Sequence, residues 1–215
     1  MKRDELWQER LFEDSKNGKY LRYLSHTAAG EGRQPLLLYI HGAGSRGDSL
    51  SGLSHAGPIG ELDNGRPIAA HIVAPQCHAD TWFELFETLV DFVREQAARA
   101  DVDPRRVYLT GCSMGGYTSW QLAMTCPELF AAVVPVCGGG MYWNAVRLRD
   151  VPVWAFHGAR DRVVLPDESL HMVRAINDCG GDARLTILPH VEHNAWEAAF
   201  SSDEMWSWLF RQVKK

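Results

Sequence analysis

No stretch of this sequence approaches the roughly 20 consecutive apolar residues that a membrane-crossing helix needs; the run at 35–40 is only strand length. No apolar segment follows the opening Met1-Lys-Arg-Asp-Glu, so the features of a secretory signal are missing and the chain as given reads as cytoplasmic. Positive charge is not in excess either. Lys and Arg total 22 against 27 Asp and Glu, a net charge of -5, which argues against nucleic acid or an anionic membrane as partner. The five cysteines are odd in number and include no C-x-x-C pair, so neither a disulfide framework nor a zinc cluster is expected. None of the nine histidines stands in an H-E-x-x-H or similar spacing, and no metal is expected. Internal repeats and low-complexity stretches are missing as well, which excludes solenoids and disordered tails.

What is present is a composition suited to a packed core: 215 residues, 46% hydrophobic and 10% aromatic, the size of one domain over 1–215. Two short runs near 10–12 and 19–24, joined through Asn17-Gly18, predict an antiparallel hairpin. Continuous apolar runs then recur at 35–40, 68–74, 106–110, 131–136, 151–156 and 184–188, a pattern suited to strands buried on both faces of a parallel sheet. Between them lie helical patterns at 83–99, 114–125, 167–178 and 195–213. Strand and helix in alternation predict an α/β protein with helices on both faces of a mostly parallel, eight-stranded sheet. Asp103-Pro104 and Cys179-Gly180-Gly181 are expected to stop the chain ahead of their strands. The weakly patterned stretch 43–67 is too long for a plain connection, so a functional loop is expected there.

Gly111-Cys112-Ser113-Met114-Gly115 fits G-x-S-x-G, and it falls between a predicted strand and a predicted helix, the setting this turn requires. The tight turn excludes side chains beside the serine, hence the glycines, and raises the Ser113 hydroxyl at the positive end of a helix. A serine nucleophile needs a histidine base oriented by a carboxylate, and the chain order Ser, Asp, His is present. Asp161 follows the 151–156 strand, while its neighbours Asp167 and Glu168, just after Pro166, suit a helix first turn. His193, between the last strand and the last helix, is the expected base, with His190 the competitor. The remaining histidines, His157 among them, are read as satisfied or solvent-facing. Backbone N–H groups of Met114 and of Ala43, in His41-Gly42-Ala43-Gly44, are expected to hold the oxyanion, with His41 supporting that loop. Loops at 43–67, 76–82 and 137–143 would form the pocket, with Gly42, Trp82, Tyr142, Trp143 and Trp196 as substrate-binding candidates.

With these elements in order, the chain resembles the α/β-hydrolase superfamily over nearly its full length. Within it, the chain looks like the small phospholipase/carboxylesterase and polyhydroxybutyrate-depolymerase-like esterases. The stretches that carry the likeness are HGAGSRGDS from His41, APQC from Ala74, TGCSMGGYTSWQLA from Thr110, PVCGGG from Pro135, VWAFHGARDRVV from Val153 and HNAW from His193. Cys112 stands where such elbows often carry a bulkier apolar residue, and Glu192 where a glycine commonly precedes the histidine. The resemblance implies a serine esterase with a Ser113, Asp161 and His193 triad, no cofactor and a small-molecule ester substrate. The short interval 137–150 leaves room for a minimal cap or none. A peptidase or thioesterase of the same fold, and a non-catalytic binding protein on a hydrolase scaffold, are the alternatives; the oligomeric state is open.

Overall fold

The computed structural model describes residues 6–53 and 57–214. His55 of the 43–67 stretch, the first five residues and Lys215 lie outside the described residues. Eight strands form one sheet: β1 (Gln8–Asp14), β2 (Lys19–His26), β3 (Gln34–Ile40), β4 (His71–Pro75), β5 (Val102–Cys112), β6 (Ala132–Val136), β7 (Val153–Gly158) and β8 (Ala183–Leu188), in the order β1-β2-β4-β3-β5-β6-β7-β8. The β1–β2 hairpin is antiparallel and β2 joins β4 antiparallel; every pairing from β4 through β8 is parallel. Gly18, in the left-handed region at φ 64, makes the hairpin turn that Asn17-Gly18 promised.

The apolar runs become strands because both faces of the sheet are covered. Along β3, Leu36, Leu38 and Ile40 enter one core while Leu37 and Tyr39 enter the other, all essentially without exposure. Each such side chain contributes about 1.5–3 kcal/mol on burial. Helices α1 (Gly57–Asp63), α5 (Ala195–Ser201) and α6 (Asp203–Arg211) supply the second core. Helices α2 (Phe86–Ala97), α3 (Met114–Thr125) and α4 (Pro166–Asp178) supply the first. This is the expected two-sided α/β architecture.

Four boundaries differ from the sequence reading. Strand β5 starts at Val102, pairs there with Gln34, then slips until Val107 meets Leu36, so Asp103-Pro104 lies in an irregular stretch of the strand and does not end the chain ahead of it. The expected helix over 83–99 opens with a 3-10 turn, Trp82–Leu85, closed by a Thr81–Glu84 capping box, before α2 begins. The last helix, expected unbroken over 195–213, is two: Ser202 leaves the helical region and its Oγ accepts the Met205 N–H at 3.2 Å, capping α6. The 43–67 loop carries structure of its own, 3-10 turns at Ala43–Ser45 and Leu50–Leu53 followed by α1.

Candidate active site

Strand β5 ends at Cys112 and α3 starts at Met114, leaving Ser113 at the corner with φ 56 and ψ -120, a region an L-residue occupies only under constraint. The constraint comes from packing. A side chain on Gly115 would collide with the carbonyls of Ile40 and His41, and one on Gly111 with the Gly115 carbonyl and Ser119. Ser113 N–H donates to Val136 O at 3.0 Å, fastening the corner to β6. As the first residue of α3, Met114 has no intrahelical acceptor for its N–H.

Asp161 and His193 arrive from the ends of β7 and β8. Asp161 Oδ1 accepts the N–H groups of Val163 and Val164, both at 2.9 Å, and Oδ2 lies 2.7 Å from His193 Nδ1. His193 Nε2 lies 2.8 Å from Ser113 Oγ. Burial pushes the Asp161 carboxyl up, but the hydrogen bonds from His193, Val164 and Val163 outweigh it and hold the group below its ordinary value. The side chain therefore stays ionised beside the imidazole. His190, by contrast, meets Arg160 at 3.4 Å, on the exposed side of the same loop. Asp167 and Glu168 occupy the first turn of α4, where they complement its dipole.

The loop after β3 leans on the same corner: a Cβ on Gly42 would lie 3.3 Å from Ser113 Cβ and 3.1 Å from Cys112 O. His41 fixes that loop from beneath. Its Nε2 accepts the Cys77 N–H at 3.0 Å, which leaves Nδ1 to carry the proton and donate to Gly42 O at 2.7 Å. Burial, with Arg46 adding to it and the Gly42 hydrogen bond opposing, lowers the His41 pKa to about 4, so the ring is neutral. The Gly42 carbonyl also accepts the Ser45 N–H at 3.2 Å, and in a trans peptide the Ala43 N–H points the opposite way.

Trp82, expected on the pocket wall, is fully buried: its indole N–H donates to His41 O at 3.0 Å and its ring lies 5.0 Å from the His41 ring. It has no surface to offer a ligand, because a buried indole is stable only where its N–H finds an acceptor, and that acceptor sits under the loop. Trp196 stands edge-on to His193 at 5.5 Å. Tyr142 and Trp143 are 56% and 72% exposed on the 3-10 turn Tyr142–Leu148, which is the one helical element between β6 and β7. Tyr142 lies 5.7 Å from the His171 ring of α4.

Two residues at the site escaped the sequence reading. Cys137, in the left-handed region at φ 40, brings its thiol within 4.8 Å of the Asp161 and His193 ligand atoms. Burial pushes that thiol far above its usual range, and Asp161 and His193 are committed to each other, a combination suited to proton transfer more than to holding a cation. His157, at the end of β7, is fully buried and lies 3.3 Å from Asp161 Oδ2. Its position four residues before Asp161, in His157-Gly158-Ala159-Arg160-Asp161, was the available signal.

A doubly covered, mostly parallel sheet with a Ser–His–Asp chain at its carboxyl edge defines a class, and the match of residues 35–206 to the alpha/beta hydrolase fold places the chain in that family. Among solved structures, a thermostable esterase is 28% identical and superposes with a TM-score of 0.85 over 97% of this chain and 64% of its own. Feruloyl esterase B of Piromyces equi is 34% identical over 91 residues, 39% of this chain and 16% of that protein. Poly(3-hydroxyalkanoate) depolymerase C of Paucimonas lemoignei is 36% identical over 52 residues, 24% of this chain and 13% of that protein. The chain thus spans a small part of the length of these two curated relatives.

Proposed function

We propose that this chain is a serine hydrolase that cleaves carboxylic esters through an acyl-enzyme. The observation that carries this reading is the unbroken line from Asp161 through His193 to Ser113, 2.7 Å and then 2.8 Å, ending on a serine held in a strained corner. Ser113 Oγ attacks the ester carbonyl as His193 Nε2 takes its proton; His193 then returns the proton to the leaving alkoxide. Asp161 keeps the proton of the neutral ring on Nδ1 and stabilises the imidazolium. Water repeats the sequence on the acyl-enzyme and releases the acid. The N–H groups of Met114 and Ala43 hold the oxyanion, the first freed by its place in the helix, the second aimed by the His41–Gly42 hydrogen bond.

The names of the relatives, a feruloyl esterase and a poly(3-hydroxyalkanoate) depolymerase, support the ester as the bond cleaved. A single short turn, Tyr142–Leu148, between β6 and β7 supports an accessible acyl group over a lidded, interface-activated one. Ser113 within reach of His193 disfavours a binding protein that has lost its chemistry.

Turnover of p-nitrophenyl esters of graded acyl length, wild type beside Ser113→Ala, tests this. The variant should fold normally and lose kcat by a factor of about 10⁴ or more. Folded wild-type protein inactive on every chain length rejects the esterase reading.

A further inference from the structure

The loop after β3 is fastened to the loop after β4 by hydrogen bonds from three neighbouring residues. Gly47 N–H donates to Cys77 O at 2.9 Å. Gln76, buried, donates from Nε2 to Ser45 O at 2.6 Å. Arg46 spans the gap on the outside: its Nε–H donates to Ala43 O at 2.9 Å and its Nη1–H to Asp80 O at 2.6 Å. The Ala43 carbonyl also accepts the Arg46 backbone N–H at 3.3 Å, closing the 3-10 turn Ala43–Ser45. Ala43 is thus flanked by two held peptides. Before it, Gly42 O accepts from His41 Nδ1 at 2.7 Å and from the Ser45 N–H at 3.2 Å; after it, Ala43 O accepts from Arg46 twice. His41 holds the first of these peptides from beneath, and Arg46 holds the second from outside.

We propose that Arg46 is a positioning residue for this hydrolase: its guanidinium, bridging Ala43 O and Asp80 O, fixes the peptide that follows Ala43 and so keeps the Ala43 N–H aimed at the oxyanion. The proposal rests on the reading above, in which Ser113 attacks and the Ala43 N–H is one of the two oxyanion donors. A planar peptide turns as a unit. Turning the Ala43 N–H away from the site rotates Ala43 about its φ bond, and that rotation swings the next peptide unless the next peptide is free to give. Here it is not free. Its carbonyl sits in a rigid fork of guanidinium donors whose other arm is anchored on Asp80 O, so a swing breaks a charge-assisted hydrogen bond. Without the side chain the carbonyl keeps one backbone bond of 3.3 Å, and water reaches the rest, because Arg46 lies on the exposed side of the loop. Stability then changes little while the donor loses its aim. An oxyanion donor lowers the barrier to the extent that it needs no reorganisation during the reaction, so the loss falls on the chemical step and not on substrate binding.

Turnover of p-nitrophenyl acetate separates aim from charge and from stability. Arg46→Ala should lower kcat about tenfold, with KM changed less than about twofold and Tm within about 2 °C of wild type. Arg46→Lys keeps the charge, but a single ammonium does not span both carbonyls in a fixed geometry, so kcat should still fall about fivefold. The lysine variant also carries the test should Arg46→Ala fail to fold. A kcat within about twofold of wild type in either variant overturns the assignment, as does a KM that rises as far as kcat falls. Ala43→Pro shows what Arg46 acts through. Proline suits the first position of a helical turn, Gly42 before it is already extended at ψ 175, and the substitution removes the Ala43 N–H. Ala43→Pro should lower kcat about a hundredfold, and Arg46→Ala added to it should cost less than about twofold more. A further loss of about tenfold in the double variant means that Arg46 acts elsewhere and overturns the assignment. The failures are distinguishable. An active Ser113→Ala removes the triad reading, and Ala43→Pro with wild-type kcat removes Ala43 as a donor and this proposal with it. An inactive Ser113→Ala and an impaired Ala43→Pro beside an unimpaired Arg46→Ala remove only the role of Arg46.

Discussion

At the scale of single residues, the site is a set of side chains whose protonation is decided by burial and by what each nitrogen faces. His41 titrates near its ordinary value of about 6.5 in the unfolded chain but at about 4 when folded. Between those values the unfolded chain binds a proton that the folded one refuses, so stability is full above about pH 6.5 and falls as the pH drops toward about 4. Urea midpoints measured from about pH 7 to about pH 5 should decline in wild type and decline less in His41→Gln, which cannot take up that proton. Asp161 has the same sign from a different cause. Its folded value is depressed, so its contribution is present above the usual carboxylate value of about 3.9 and is lost as pH falls through the lower folded value. The stability gap between wild type and Asp161→Asn should accordingly narrow on acidification below about pH 4. That Ser113, Asp161 and His193 would meet was legible from chain order and from their places after strands. His157 was less so: its place four residues before Asp161 hinted at a meeting, but only the fold brings its ring to 3.3 Å from Asp161 Oδ2.

At the scale of elements, backbone carbonyls and caps decide the local shape. Gly115 is needed because the first turn of α3 runs directly against the end of β3; Gly115→Ala should cost about 3 kcal/mol or more in urea unfolding and reduce ester turnover with it. Ser202 divides the C-terminal helical pattern in two, and Trp206 Nε1–H donates back to Phe200 O at 2.7 Å to hold the bend. Ser202→Ala should lower stability by about 1 kcal/mol, read as a lower Tm, with kcat unaltered because the cap lies away from Ser113. Strand centres and α3 were readable from apolar periodicity, since burial on both faces demands unbroken runs. The Ser202 break and the slipped start of β5 were less so: apolar positions continue through the first, and the second is settled by pairing with Gln34, a residue distant in sequence.

At the scale of the whole molecule, loops from four strand ends meet over one edge of the sheet, with little above them. Trp143, 72% exposed, makes few packing contacts to lose. Trp143→Ala should leave Tm within about 2 °C of wild type and kcat/KM on p-nitrophenyl acetate nearly constant, while lowering kcat/KM for esters of large aromatic acids. Equal losses on small and large esters would argue against a substrate-binding role for this ring.

Local chemistry in the sequence determined the α/β class, the hairpin at Asn17-Gly18, the elbow at Ser113 and the order of acid and base, because glycine requirements and burial periodicity act over a few residues. Tertiary structure alone decided what surrounds the carboxylate. Trp82 went under the loop after β3 instead of onto the pocket wall, and His157 came to stand behind Asp161. Both outcomes depend on where a ring nitrogen finds its partner once distant strands are brought side by side, and a buried polar atom must be satisfied by whatever the fold places there.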